Sequence, residues 1–115
     1  MAFIEREAAG DVNARDEEGI SPLHWACEEG DMVKVLALIE RGADVNARSN
    51  IDDTALISAV THGRYEIVKI LLDNGADVNA EDGYGYSAYV WASLNTNYTS
   101  IQRLLLEKGA NNDSP

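Results

Sequence analysis

Apolar residues in this chain fall into paired blocks divided by polar stretches. Leu23, Ala26 and Cys27 precede Met32, Val35, Leu36 and Ile39; Leu56, Ala59 and Val60 precede Tyr65, Val68, Leu71 and Leu72; Tyr89 and Ala92 precede Ile101, Leu104 and Leu105. Steps of three and four residues are the period of a helix with one buried face, so each pair predicts two short helices. Ser21, Thr54 and Ser87 stand where a hydroxyl can accept a hydrogen bond from an unpaired N–H of the first turn, and Pro22 has its φ preset for the first helical position. Gly30 and Gly63 mark turns between paired helices. Gly42, Gly75 and Gly109 stop the second helix of each pair, where the chain must turn left-handed. Val12, Val45 and Val78 predict short extended stretches leading into polar turns.

The pattern repeats with a fixed period. Gly-Ala-Asp-Val-Asn-Ala occurs at 42–47 and again 33 residues later at 75–80; its core stands at 11–14, and Gly109-Ala110-Asn111 is a degraded copy. Three units follow, 11–43, 44–76 and 77–110, the last with one extra residue within 93–97, a turn that tolerates insertion. Such a period is the mark of stacked repeats. In register, Trp25, Ser58 and Trp91 share one position. Large–small–large predicts a packed column in which Ser58→Leu overpacks and costs roughly 1–3 kcal/mol.

Ser21-Pro22-Leu23-His24-Trp25-Ala26 matches, with Ser for Thr, the Thr-Pro-Leu-His-x-Ala signature of the ankyrin repeat, and Gly-Ala-Asp-Val-Asn-Ala is that family's junction between repeats. The chain thus resembles an ankyrin-repeat protein from about Asp11 to Ala110. The resemblance implies an all-α solenoid of helix-turn-helix units with projecting β-hairpin-like loops, a single domain over 1–115. Residues 1–10 then read as the tail of a truncated helix, Phe3 and Ile4 covering the open end. Residues 77–110 read as a C-terminal cap with a polar outer face, and 111–115 as a tail. His24 becomes the family's structural histidine, bonding a hydroxyl and backbone. Unit two departs from the pattern: it reads Thr54-Ala55-Leu56-Ile57, and Asp52 stands where a turn glycine is usual. Asn46 and Asn79 become candidates for hydroxylation, beside the plainer role of bonding the loop backbone.

Charge narrows the partners. Twenty acidic residues against nine basic ones give a net charge of −11, of which −5 falls in 11–43. That field repels a polyphosphate backbone and anionic lipid, so neither nucleic acid nor a membrane is expected, and a basic protein surface is. One cysteine, Cys27, allows no internal disulfide and fits a reducing, intracellular setting, the cytoplasm with the nucleus as the alternative. The opening residues show no basic start followed by an apolar run, so no secretory leader is expected. His24 and His62 lie at different points of the repeat, and no metal or phosphate-loop spacing occurs. No cofactor and no enzymatic activity are therefore expected.

In the family that the chain resembles, partners are held by the loop tips and the exposed side of the first helices. Carried over by position, this gives Glu17, Glu18, Ile20, Glu28 and Glu29 in unit one, with Arg15. Unit two gives Asn50, Ile51, Asp53 and His62, with Arg48 and Thr61; unit three gives Tyr84, Tyr86 and Leu94, with Glu81, Gly83 and Asn95. One end is acidic and the other aromatic, and Tyr84, Tyr86 and Ile51 are the expected anchors. The sequence predicts a monomeric module that binds a protein with a basic and apolar patch. The alternative is a small acidic inhibitor, of the immunity or antitoxin kind, masking the basic active site of an enzyme.

Overall fold

The computed structural model describes residues 11–111; the expectations for residues 1–10 and for 112–115 lie outside them. Among the described residues six α-helices follow in order: α1 Pro22–Glu29, α2 Met32–Glu40, α3 Ala55–Thr61, α4 Tyr65–Asp73, α5 Ala88–Ser93 and α6 Thr99–Glu107. A 3₁₀ turn, Thr96–Tyr98, precedes α6 and takes up the extra residue of unit three. Ser21, Thr54 and Ser87 cap α1, α3 and α5, each accepting from the N–H three residues on.

The helices form two rows. Helix α3 packs against both α1 and α5, and α4 against α2 and α6, giving a stack of 44 × 25 × 21 Å. Between the rows lies one core: Leu23, Cys27, Val35, Leu56, Val60, Val68, Leu71 and Leu105 are fully buried. Ala26, Ala59 and Ala92 have no exposed surface, as close approach of neighbouring first helices requires. Burial also pushes the Cys27 thiol up to about 12, so it packs as a small apolar side chain.

Val12, Val45 and Val78 are not extended. Each lies in a tight turn in which Ala14, Ala47 and Ala80 donate to the carbonyls of Asp11, Asp44 and Asp77. The cause is the aspartate at the head of each turn, whose Oδ1 accepts from the N–H of Asn13, Asn46 or Asn79. Pairing in the projecting loops is confined to single antiparallel bridges, Arg48 with Thr54 and Glu81 with Ser87. Asp52 takes φ 63°, the left-handed conformation that Gly19 and Gly85 supply at the equivalent places.

Candidate partner-binding face

Each projecting loop is organised by one side-chain oxygen. Asp16 Oδ1 accepts from the N–H groups of Glu18 and Ile20, both at 2.9 Å. Ser49 Oγ accepts from Ile51 and Asp53 at 3.2 and 3.1 Å, and Asp82 Oδ1 from Tyr84 and Tyr86 at 2.9 and 3.0 Å. The Ile20 N–H, first among several contacts, holds the Asp16 carboxyl below its usual 3.8.

Aspartate has a second oxygen, and it is used. Trp91 Nε1 donates to Asp82 Oδ2 at 2.8 Å, and the Trp25 side chain is one of the minor influences that lower the Asp16 carboxyl. Ser49 has spent its one oxygen on the loop, and in that unit the helix carries Ser58, which donates instead to Asp53 Oδ2 at 3.1 Å. This corrects one end of the packed column expected from the sequence: Trp25 is 46% exposed, while Ser58 is buried and Trp91 is half-buried against the core.

The loops also hold one another. Asn50 donates its N–H to Glu18 O and its Nδ2 to Glu17 O, both at 2.9 Å, and the Gly83 N–H reaches Ile51 O at 2.9 Å. Arg15 Nη1 donates to Arg48 O at 2.6 Å, and Arg48 Nη1 to Glu81 O at 2.8 Å. These two arginines, placed on the face from the sequence, thus brace neighbouring loops. Buried His24 links the first two units. Its Nδ1 accepts from the Ser21 N–H, so Nε2 carries the proton and donates to Asp53 O at 2.9 Å.

The loop tips bring Glu17, Glu18, Asn50, Ile51 and Tyr84 into one row. Ile51 and Tyr84 stand free, 65% and 76% exposed. Tyr86, expected as an exposed anchor, is half-buried, because its ring packs edge-to-face on Trp91 with centroids 5.3 Å apart; Tyr84 follows at 6.3 Å. Ile20 and Asp53 are half-buried as well. Desolvation raises the Asp53 carboxyl above its usual 3.8; the Ser58 bond and His24 act against this, and the Asp82 charge adds to it.

A second row runs along the turns at the ends of the first helices. Exposed His62 donates Nδ1–H to Ser58 O at 2.8 Å, leaving Nε2 3.7 Å from the Glu28 carboxylate. Glu29 is exposed beside it, and Leu94 is 66% exposed. Leu94 shares a shallow hollow with Thr61, Trp91, Asn95 and Tyr98. Sequence reasoning missed Trp25 as a surface residue and the bond that ties half-buried Trp91 to its loop. The available signal was an aspartate nine positions before each (Asp16 and Asp82) and a serine at both places in the middle unit.

A family description of three consecutive ankyrin repeats matches residues 2–82 and again 37–115. The chain belongs to the ankyrin-repeat family. Its repeats are thus of the kind that serves as a protein–protein interaction module. "Scaffold protein ILK" of Homo sapiens, Mus musculus and Cavia porcellus is similar over 33 residues, at 58% identity, which is 29% of this chain and 7% of each relative. The match spans a small fraction of the relatives' length, so it supports one repeat rather than a shared activity. Among the described residues no helix is long and apolar enough to cross a membrane, and no group of three or more His, Cys, Asp or Glu is placed to hold a metal.

Proposed function

We propose that this ankyrin-repeat chain is a non-catalytic, monomeric, intracellular module that binds a basic and apolar patch of another protein through its concave loop and first-helix face. Nucleic acid and membrane lie outside this reading because the net charge of −11 opposes both. The observation that carries it is the aromatic run Tyr84–Tyr86–Trp91, continued by Leu94, on the face whose other end bears Glu17, Glu18, Glu28 and Glu29. Exposed aromatic and aliphatic side chains anchored on a rigid support are what binding hot spots are made of. In this reading 1–115 is one domain, with 1–10 covering the first unit and 77–110 closing the last.

The test is to capture the partner with the full chain and measure its affinity for surface variants. Tyr84→Ala with Leu94→Ala should weaken binding by at least about tenfold, the scale of a hot-spot loss. Val33→Ala, also exposed but on α2, should leave it unchanged. Equal affinity for all three proteins would sink this face. A second reading, a small acidic inhibitor, draws on the same acidic loop tips and is marked by loss of a partner's catalytic activity on binding.

A further inference from the structure

Residues 83–102 contain no Asp, Glu, Lys, Arg or His, in a chain of which 25% is charged. They run through the third loop, α5, the 3₁₀ turn and the start of α6, and hold four of the five tyrosines. The matching turns of the earlier units carry Glu28, Glu29 and Asp31, then His62 and Arg64. A polar end to the stack would be served equally well by charged side chains, so solubility does not account for their loss here. Exposed apolar and aromatic side chains with the charges removed are the composition of an interface core.

The same tract walls a hollow. Thr61, Trp91, Leu94, Asn95 and Tyr98 enclose about 230 Å³ where the end of α3 lies beside α5. That is less than the roughly 300–1,000 Å³ of a small-molecule site, and it leaves room for one side chain. The rings and the hydroxyl of its walls are already bonded within the chain. Trp91 Nε1 donates to Asp82 Oδ2 at 2.8 Å, Tyr98 OH to Thr61 O at 3.3 Å, and Thr61 Oγ1 to Ser58 O at 3.1 Å. No lining residue is charged. A charged visitor would thus lose water without gaining a counter-charge, whereas an apolar one leaves none of these donors unpaired. Leu94, 66% exposed, is the wall that such a visitor would cover.

We propose that this hollow receives one uncharged, apolar side chain of the partner as the anchor of the complex, while the partner's basic residues meet the acidic first unit. This rests on the binding face proposed above and names the group that its third unit reads.

The probe is N-acetyl-leucine methylamide, titrated into the full chain and followed by NMR at the Leu94 methyls and the Trp91 indole N–H. Its asparagine counterpart, of the same shape but polar, is the control. The leucine probe should shift both signals saturably, in the millimolar range that so small a ligand allows. The asparagine probe should bind about tenfold or more weakly, since its amide would be buried without partners. Leu94→Asn removes one wall and Thr61→Trp fills the hollow; both positions are exposed, so the spectra should stay dispersed while the shift at the Trp91 indole N–H is lost. If Thr61→Trp does not fold, Leu94→Asn and the two probes decide. Equal responses to the two probes, no saturable response to either, or an undiminished response in Leu94→Asn would overturn the proposal. With the captured partner, loss of affinity on Tyr84→Ala but none on Leu94→Asn retires the hollow and leaves the binding face. Loss on Leu94→Asn sustains both, and no loss with either variant retires both.

Discussion

Asp53 carries three loads at once: its N–H closes the loop on Ser49, its carbonyl takes the His24 proton, and its carboxylate takes the Ser58 hydroxyl. Burial is the largest influence on that carboxyl and raises its pKa above 3.8. A folded-state pKa above the unfolded one favours the fold while the group is protonated, an advantage lost as pH rises through the folded value. Asp53→Asn keeps an acceptor for Ser58 without a charge. At neutral pH the variant should therefore melt higher than the parent, and the difference should close as pH falls below about 3.8, where both states of the parent are protonated. Parallel melting curves across that range would contradict the assignment. At this scale the sequence was legible where a residue has a fixed conformational or capping habit. Ser21 and Pro22 are such residues, as is Asp52 standing in for a glycine. It was not legible where one side chain serves two masters. The second oxygen of Asp82 takes the Trp91 indole N–H and ties the ring to its loop, a bond that spacing alone did not show.

Helices here are too short to stand alone, so what joins one unit to the next matters as much as what each contains. The junction asparagines do this identically. Asn13, Asn46 and Asn79 accept through Oδ1 from the N–H of Asp44, Asp77 and Asn111. They donate through Nδ2 to the carbonyls of Gly42, Gly75 and Gly109. The plainer reading of Asn46 and Asn79, as loop-bonding amides, is thus the observed geometry. A second tie uses unlike residues at one place. Arg64 Nη2 donates to Glu28 O at 2.8 Å, and Tyr98 OH to Thr61 O at 3.3 Å, each bonding the carbonyl end of the preceding first helix. The 3₁₀ turn keeps Tyr98 in register despite the added residue. Asn46→Ala should remove one junction staple, and because the freed groups are exposed and can take water, the cost is about 1 kcal/mol. Urea unfolding followed by far-UV dichroism reads this, and an unmoved midpoint would mean that apolar packing alone sets the junction. The repeat period made the helix pairs legible in advance. The bonds between units were not, because Asn50 finds Glu17, and Arg64 finds Glu28, only once the stack exists.

Across the whole molecule charge is graded: the first full unit carries −5 of the −11, while the aromatic run sits in the third. On the proposed binding face the two ends are expected to act at different stages. Carboxylates on exposed loops act at a distance, drawing in a basic partner and orienting it, and their reach shrinks to a Debye length of about 8 Å at physiological salt. Tyr84 and Leu94 act only on contact, and what contact supplies appears in dissociation. Glu17→Lys with Glu18→Lys should thus slow association by about tenfold or more at low salt while changing dissociation little, the scale of electrostatic steering. Both residues lend only their backbone carbonyls to Asn50, so the loop should keep its shape. Raising the salt should bring the parent's association rate down to that of the variant. Stopped-flow association with the captured partner over a salt series measures both rates. A parent rate that is flat with salt would show that the acidic end serves solubility alone, and recognition would then rest on the aromatic end.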